Sequence, residues 1–392
     1  MFKRIMKKDG EYYIHHNFRG DIAMTGIDFF DKDIINTLIP VFTMKPDKEV
    51  LLYDKKHLNL IDPLINAIKN HGIRQVLPIC VDADSFSDIE KKLREVLDSC
   101  DDEIYIELTG GSELMNACGY KLGIEYNTLL LHVDYDRMKI LDVRKDEVLC
   151  DAQNVSLNDY IVGVGGARTD DSHFLPDKED FSVIKEMAEF IFDNEEQWKL
   201  TCNKLMNVTA NEEYLIKQLF SEKDRYILAK LVELGFMKDN GSRYEFSNPT
   251  AKQYATTIGV WVELYIYINL VEVYGNADIG VGIDWNSRDD FYFRNSEIDV
   301  ILMYKSIPVF FSCKMKALNP LSVTEVGYLA KRLGGSRAQA VLVTTKTEDE
   351  GRGIFRKMKD LRVGCVKISE LRKAKSAKEY FDGLLESLGF EM

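Results

Sequence analysis

The spacing of apolar and polar positions divides the chain into parts with different element orders. In the first part, short apolar runs alternate with amphipathic segments and end in polar loops. The predicted elements are a strand over 21–25, a helix from about Asp31, a strand over 49–53, a helix over 57–71, a strand over 75–80, a helix over 87–100 and a strand over 103–108. This alternation predicts a parallel, doubly wound α/β sheet, which binds ligands at the carboxyl ends of its strands.

Three loops are predicted at those strand ends. The last of them contains two adjacent glycines and leads into a helix that starts near Glu113. Glycines let the backbone approach a ligand, and the free amides at a helix start favour phosphate. We therefore expect one pocket formed by Thr25, Gly26, His57, Thr109, Gly110, Gly111 and Ser112.

The middle of the chain is predicted to be a connector. Residues 151–180 are polar and glycine-rich, which predicts a loop or linker. Helices are predicted over 181–192, 211–220 and 224–234, followed by a hairpin around Asn240-Gly241. Helices followed by such a hairpin suggest a winged-helix-like unit. The excess of acidic residues in this segment favours a spacer or dimerisation element over an independent DNA-binding domain.

The last part of the chain combines a carboxylate-bearing helix with a hairpin. Residues 256–273 are predicted to be one apolar helix, in which the lone mid-helix Glu263 must be paired, protonated or bound to an ion. Two apolar runs, Val300–Met303 and Pro308–Phe311, flank a Lys305-Ser306 turn and predict paired strands. A helix ending at Gly334-Gly335 and a strand over 340–345 follow.

Folding the hairpin back brings Asp299 close to Ser312 and Lys314. A carboxylate there could hold a divalent cation, and the lysine could orient water or stabilise a pentavalent phosphorane. Glu263 is a candidate second metal ligand. The alternative is a surface hairpin with scattered charges.

The order helix, hairpin, helix, strand resembles the PD-(D/E)XK restriction-endonuclease fold over roughly residues 250–392, with Glu263, Asp299 and Lys314 as the matching residues. That resemblance implies a metal-dependent nuclease. The family normally has a metal-binding glutamate two residues before the lysine, whereas Ser312 stands there in this chain. A hydroxyl is a poorer ligand for a hard cation than a carboxylate. Either Glu263, Glu297 or Glu325 therefore supplies the missing charge, or the site is weakened.

The segment Leu108-Thr-Gly-Gly-Ser-Glu-Leu-Met115 resembles the Leu-Thr-Gly-Gly-Thr-Lys-x-Met signature of CARF domains, the sensors of cyclic oligoadenylates in type III CRISPR immunity. Ser112 keeps the hydroxyl, and Glu113 replaces the usual lysine. A CARF domain joined to a PD-(D/E)XK nuclease is a known architecture. The two resemblances together imply a CARF domain over 1–150, a connector over 151–250 and a nuclease domain over 251–392.

The same resemblances imply an allosterically activated antiviral nuclease. The implied activator is cyclic tetra-adenylate, and the implied substrates are single-stranded DNA, RNA and duplex DNA. A cyclic ligand has rotational symmetry, so a two-fold homodimer is its simplest receptor. All six histidines precede residue 174, which leaves carboxylates and Lys314 for the C-terminal site and favours Mg²⁺ or Mn²⁺ as the metal.

The net charge of −13 is unevenly distributed. Residues 251–392 have 20 Lys and Arg against 18 Asp and Glu, so the excess of acids lies in 1–250. Within 314–378 there are 16 basic and 6 acidic residues, which suits a phosphate backbone or else forms a solvated face. The substrate contacts predicted from this segment are Arg332, Arg337, Lys346, Arg352, Arg356 and Lys357.

The composition predicts a soluble, cytoplasmic protein. No run of eighteen apolar residues predicts a membrane helix, and no apolar segment follows the basic N-terminus as in a signal peptide. Seven scattered cysteines without a Cys-x-x-Cys motif indicate neither a disulfide framework nor a zinc site.

Two other classes of function are compatible with parts of this pattern. A ligand-gated transcription regulator would use the winged helix to bind one duplex sequence, with the C-terminal domain catalytically weakened at Ser312. An ordinary nucleotide-binding enzyme would need a Gly-x-Gly-x-x-Gly or Gly-x-x-x-x-Gly-Lys-Ser motif, and neither is present.

Overall fold

The computed structural model describes residues 6–8, 11–13, 23–166, 175–211, 215–275, 278–285, 296–315, 319–346 and 352–390. A short antiparallel hairpin of β1 (Met6–Lys8) and β2 (Glu11–Tyr13) precedes the first domain. Within those ranges, no single helix is long and apolar enough to cross a membrane; Pro249–Thr256 and Val260–Val273 would meet that test only as a pair, bent by 113°.

A seven-stranded sheet forms the first domain. Its elements are β3 (Met24–Phe30), α1 (Ile35–Met44), β4 (Lys48–Asp54), α2 (Leu58–Asn70), β5 (Gln75–Val81), α3 (Phe86–Asp98), β6 (Glu103–Glu107), α4 (Glu113–Glu125), β7 (Leu129–Asp134), β8 (Lys139–Asp142), β9 (Glu147–Asp151) and α5 (Leu157–Gly163). The strand order is β5-β4-β3-β6-β7-β8-β9. The first five strands are parallel, and β8 and β9 extend the sheet antiparallel.

The predicted doubly wound sheet is confirmed, because helices cover both faces. Phe29 and its neighbours pack on α3 and α4, whereas Phe30 and its neighbours pack on α1, α2 and α5. One of these helices, α5, lies within residues 151–180, which were predicted to be a loop or linker. That prediction is wrong for α5, because its Leu157, Tyr160 and Ile161 are fully buried.

A second correction concerns β3. It was predicted over 21–25, but it runs over Met24–Phe30 and is buried along almost its whole length. The buried carboxyl of Asp28 made this part of the strand resemble a loop in the sequence.

The middle segment contains helices and a small sheet. Its elements are α6 (Phe181–Asp193), α7 (Glu195–Asn211), β10 (Leu215–Ile216), α8 (Glu222–Glu233), β11 (Met237–Asp239), β12 (Arg243–Phe246) and α9 (Pro249–Thr256). The predicted hairpin turns at Gly241, whose φ is +81°. The predicted helix over 211–220 is wrong, because Leu215 and Ile216 instead pair with β12. The order β10-β12-β11 is compatible with a winged helix.

A five-stranded sheet forms the last domain. Its elements are α10 (Val260–Val273), β13 (Asp278–Trp285), β14 (Ser296–Tyr304), β15 (Ile307–Lys314), α11 (Pro320–Gly334), β16 (Gln339–Thr344), α12 (Arg352–Leu361), β17 (Val363–Lys367), α13 (Ile368–Leu371) and α14 (Ala377–Ser387). β13, β14 and β15 are antiparallel, and β15, β16 and β17 are parallel. The predicted order of helix, strands, helix and strand is present, but the predicted helix over 256–273 is broken between Thr256 and Val260.

The two large sheets share one apolar core. Phe30, Leu38 and Tyr160 of the first domain belong to the same buried cluster as Phe310 and Val326 of the last. Polar contacts cross the same boundary: Tyr160 donates its hydroxyl to the Leu333 carbonyl, and Lys305 Nζ donates to the Asp136 carbonyl at 2.9 Å. Packing and hydrogen bonds therefore connect the two domains directly.

Candidate functional site

The hairpin of β14 and β15 brings Asp299 and Lys314 together. Val300 pairs with Phe311, so the residues next to them face each other across the two strands. Asp299 Oδ2 accepts the Cys313 N–H at 2.6 Å, lies 3.3 Å from Lys314 Nζ and accepts the Ser312 hydroxyl at 3.4 Å. The three residues that the sequence placed in one site lie in one site, with Ser312 in direct contact with the carboxylate.

The charges of this cluster keep Lys314 protonated. Burial lowers the pKa of the Lys314 ammonium, but the nearby carboxylates of Asp299 and Glu263 outweigh it, and the net pKa is raised. Burial also raises the pKa of the Cys313 thiol, and Asp299 and Glu263 raise it further. Lys314 is therefore a cation suited to stabilising negative charge, while Cys313 stays a neutral thiol that supplies its backbone N–H.

Glu263 lies in the first turn of α10, instead of in the middle of a long helix. Its charge acts on both Cys313 and Lys314, which places it in the same site as Asp299. A helix start stabilises a carboxylate, because the free N–H groups of the first turn point toward it. The predicted position of Glu263 in the middle of a long helix was wrong, and its role as a metal ligand stays a prediction.

The donor set suits a hard divalent cation. Magnesium is usually held by one or two carboxylates, with water and substrate phosphates completing its shell. Asp299 and Glu263 supply two carboxylates, and Ser312 adds a hydroxyl. Among the side chains that the structure describes, no group of three Asp, Glu, His or Cys residues is arranged to hold a metal. The side chain of Glu297 lies outside the described residues, and Glu325 is exposed on α11.

Three of the basic residues predicted to contact substrate have partners within the protein. Lys346 pairs with Glu195 at 2.9 Å, Lys357 Nζ donates to the Pro320 carbonyl at 2.7 Å, and Arg337 lies against the first domain. The predictions for these three are weakened, because each has a structural partner. Arg332 and Arg356 are exposed and stay candidates, and the side chain of Arg352 lies outside the described residues.

A second candidate site lies at the carboxyl edge of the seven-stranded sheet, where three loops meet. Asp54, at the end of β4, accepts the Ala83 N–H at 3.3 Å, and the Ala83 carbonyl accepts the Ser112 hydroxyl at 3.4 Å. His57 follows β4 at the same edge, with its ring edge-on to Phe30. The loop that contains His57 and the 109–112 turn therefore lie at the same edge of the sheet, and their binding of one ligand stays a prediction.

Thr25 and Gly26 were predicted in that pocket, and their predicted position was wrong. Because β3 begins at Met24, both lie at the amino end of the strand, at the opposite edge of the sheet. The buried Thr25 hydroxyl donates to Asp102 at 2.7 Å. A Cβ on Gly26 would overlap the side chains of Glu49 and Tyr105. Gly26 therefore makes room for a packed core.

The 109–112 turn is held in place mainly by the protein itself. The buried Glu107 carboxylate accepts the N–H of Thr109 at 2.8 Å and the N–H of Gly110 at 3.2 Å. The Ser112 hydroxyl caps α4 by accepting the Met115 N–H at 3.3 Å. Two of the backbone amides expected to face a phosphate are thus already bonded to Glu107. This role of Glu107 was not predicted, although the sequence signals it by an acidic residue just before the turn.

The two glycines of the turn are required by its packing on β3. A Cβ on Gly110 would lie 2.5 Å from the Phe29 carbonyl oxygen, and one on Gly111 would lie 2.5 Å from Phe29 Cβ. Gly111 also has a φ of +78°. Beside the turn, Thr109 Oγ1 accepts the Val133 N–H at 2.8 Å and lies 3.3 Å from Nδ1 of the exposed His132. His132 is thus a further candidate that the sequence analysis missed.

Two solved structures match the chain over almost its whole length. Can2 from Sulfobacillus thermosulfidooxidans, solved in complex with cyclic tetra-adenylate, is 14% identical with a TM-score of 0.67, and the match covers 93% of this chain and 99% of Can2. Protein VC1899 from Vibrio cholerae is 15% identical with a TM-score of 0.76, and the match covers 94% and 99% of the two chains. This chain has their fold.

A third match is a type III CRISPR defence DNA nuclease activated by cyclic oligoadenylate. It is 12% identical with a TM-score of 0.56, and the match covers 89% of this chain but only 50% of that nuclease. No protein-family model and no curated protein sequence matches the chain. These likenesses confirm the predicted α/β architecture with its two large domains.

Three acids buried in the centre of the seven-stranded sheet predict an unusual pH dependence. Asp28, Glu49 and Glu107 are fully buried on the adjacent strands β3, β4 and β6. Burial raises the pKa of Glu49 to about 7, and the pKa of Asp28 rises through burial and the charge of Glu49. Because the folded state holds the Glu49 proton more tightly than the unfolded state, its contribution to stability is lost as pH rises from about 4.5 to 7.

A Glu49→Gln variant should remove that dependence, because glutamine is neutral at every pH. Between pH 5 and pH 8 we expect the stability of the variant relative to the native protein to rise by about 3 kcal/mol. Urea unfolding at both pH values measures the difference. A constant difference would mean that Glu49 is ionised throughout.

Proposed function

We propose that the chain is a metal-dependent nuclease of type III CRISPR defence that is activated by cyclic tetra-adenylate. The observation that carries the proposal is the cluster of Asp299, Lys314 and Glu263 in a chain that matches Can2 over 93% of its length. The cluster supplies the acidic and basic groups of phosphodiester hydrolysis. The carboxyl edge near Thr109 supplies the ligand site of the sensing domain.

Each residue of the cluster has a distinct task in this proposal. Asp299 and Glu263 would hold a Mg²⁺ or Mn²⁺ ion, which when bound supplies a Lewis acid for water activation and neutralises phosphate charge. The Lys314 ammonium stabilises the negative charge that develops on the attacked phosphate. The Ser312 hydroxyl and the Cys313 N–H orient the Asp299 carboxylate through their hydrogen bonds.

Activation is proposed to be a population shift in a homodimer. A ligand with rotational symmetry fits a receptor that presents the same edge twice about a two-fold axis. Binding there would favour the arrangement in which the nuclease clefts admit single-stranded DNA, RNA or nicked duplex DNA. In this proposal residues 1–150 sense the ligand, 151–250 connect the domains and 251–392 cut the substrate.

A cleavage assay tests the proposal directly. The purified chain is incubated with labelled single-stranded DNA, single-stranded RNA and duplex DNA, with and without manganese and cyclic tetra-adenylate. Cyclic hexa-adenylate and linear tetra-adenylate are the ligand controls. Cleavage that requires both metal and cyclic ligand supports the proposal. Sequence-specific duplex binding without any cleavage would instead favour the transcription regulator.

The serine that replaces the usual glutamate gives a separate prediction. Ser312 Oγ lies 3.4 Å from Asp299 Oδ2, so a glutamate there would place a third carboxylate beside the metal ligands. We expect Ser312→Glu to lower the manganese concentration for half-maximal cleavage by about tenfold, because each added carboxylate strengthens the binding of a hard cation. Ser312→Ala is the control. An unchanged manganese dependence would mean that another acid already completes the site.

A further inference from the structure

Arg337 extends from the five-stranded domain to the ligand edge of the seven-stranded sheet. It lies in the exposed turn between α11 and β16. Its guanidinium carbon lies 3.9 Å from the ring centroid of Tyr135, which follows β7 at the carboxyl edge. Tyr135 is almost completely buried, so its ring is a fixed platform for the cation.

Two side chains, Tyr135 and Asn36, connect this cation to the 109–112 turn. Tyr135 donates its hydroxyl to Asn36 Oδ1, and a Cβ built on Gly110 would lie 3.3 Å from Asn36 Cβ. His132, which contacts Thr109, has a pKa lowered first by partial desolvation of its ring and also by the charge of Arg337. Arg337 is therefore connected to the turn, across the domain boundary, through the side chains of Tyr135 and Asn36.

The backbone next to Arg337 is fixed to the first domain. Asp33, in the loop after β3, accepts the Ser336 N–H at 2.7 Å and also the Ser336 hydroxyl. Gly335 has a φ of +71° and leaves no room for a Cβ beside Asp33. The position of Arg337 thus depends on the ligand edge itself.

The charged side chains near the turn indicate which class of ligand group Arg337 could bind. Asp31, Asp33 and Glu113 lie around the turn, and Glu113 replaces the lysine of the signature that the turn resembles. Lys32 and Lys56 lie near His57, at another part of this edge. The pKa of His57 is lowered first by burial and then by the charges of these two lysines. Among the described residues, no carboxylate forms a salt bridge with Arg337. Its stacking on Tyr135 leaves the N–H groups in the guanidinium plane available for an anion.

We propose that Arg337 binds a phosphate of the cyclic oligoadenylate, so that the nuclease-like domain contributes a cation to the ligand site of the sensing domain. The inference rests on the proposed function. Bound in this way, the ligand would contact the turn that follows the C-terminal end of α11. The N-terminal end of α11 follows β15, the strand that contains Lys314. A ligand that binds across the two domains can favour one arrangement of them over another.

Calorimetry with cyclic tetra-adenylate tests the role of the charge. Arg337→Met keeps an unbranched side chain on the Tyr135 ring but removes the cation. We expect it to weaken binding by roughly tenfold to a hundredfold, the usual range for a hydrogen bond to a charged group. Its affinity should also depend less on salt concentration. Arg337→Lys should keep the salt dependence, and Lys331→Met, at an exposed site in the last turn of α11, should bind like the native protein.

The outcomes separate this inference from the proposed function. If the native protein binds no cyclic oligoadenylate, the proposed function fails. If the native protein binds and Arg337→Met binds equally well with the same salt dependence, Arg337 only packs on Tyr135 and the inference is overturned. Thermal unfolding of each variant without ligand identifies any loss of binding that comes from a loosened domain contact.

Discussion

Replacing Asp299 with asparagine is expected to slow activated cleavage by roughly a hundredfold to a thousandfold. Asparagine keeps the size and one oxygen of the aspartate but loses its charge. The variant therefore loses a metal ligand and also the ion pair with Lys314, whose Nζ lies 3.3 Å from Asp299 Oδ2. Cleavage rates are measured with saturating ligand over a range of manganese concentrations.

Two further variants make this prediction specific to the site. Lys314→Met should lose a similar factor in rate with little change in manganese dependence, because it removes transition-state charge stabilisation instead of a metal ligand. Asp360→Asn, at an exposed position on α12, should cleave normally. An Asp299→Asn protein that cuts at the native rate would remove this cluster from the proposed active site.

The cluster of Asp299, Ser312 and Lys314 could be predicted from the sequence because it depends on the pairing of two neighbouring strands. The Lys305-Ser306 turn fixes the register of β14 against β15, and that register decides that Asp299 faces Ser312. The position of Glu263 was predicted less well. The break between Thr256 and Val260 includes Gly259, the N-cap of α10, but the apolar residues around this glycine led to the prediction of one continuous helix.

The carboxyl edge of the seven-stranded sheet was harder to predict because some of the polar residues near it are buried. Asp28 resembles a loop residue, yet it lies in the centre of β3, and this error moved Thr25 and Gly26 to the wrong edge. Glycines in the 109–112 turn suggested an open approach for a ligand. The structure shows that Phe29 fills that space and that Glu107 holds two of the amides.

Contacts between distant segments were beyond the reach of the sequence. Gly334-Gly335 was correctly predicted to end a helix, but the partner of that turn is Asp33, 303 residues before Ser336. Arg337 was predicted to contact substrate because it lies in a basic segment. Only the fold shows that its side chain lies on Tyr135 of the other domain.

Gly335→Ala is expected to weaken ligand binding and to abolish activation. The residue has a φ of +71° and a ψ of −155°, a region of backbone space that is almost restricted to glycine. An added Cβ would also overlap the Asp33 carboxylate. We expect the variant to lose about 3 kcal/mol of stability at this domain contact. The Ser336 and Arg337 contacts should loosen, so that ligand affinity falls to that of Arg337→Met and cleavage no longer responds to bound ligand.

A double-mutant cycle identifies the cause of that loss. Gly235→Ala, at a φ of +82° with no atom within 4 Å of the added Cβ, is a control without steric overlap and should leave activation intact. Asp33→Ala removes the atoms that an alanine at 335 would overlap, and the double variant should recover part of the lost thermal stability. If the double variant is as unstable as the sum of its parts, the overlap with Asp33 is not the cause. If Gly335→Ala is activated normally, this contact does not couple the two domains.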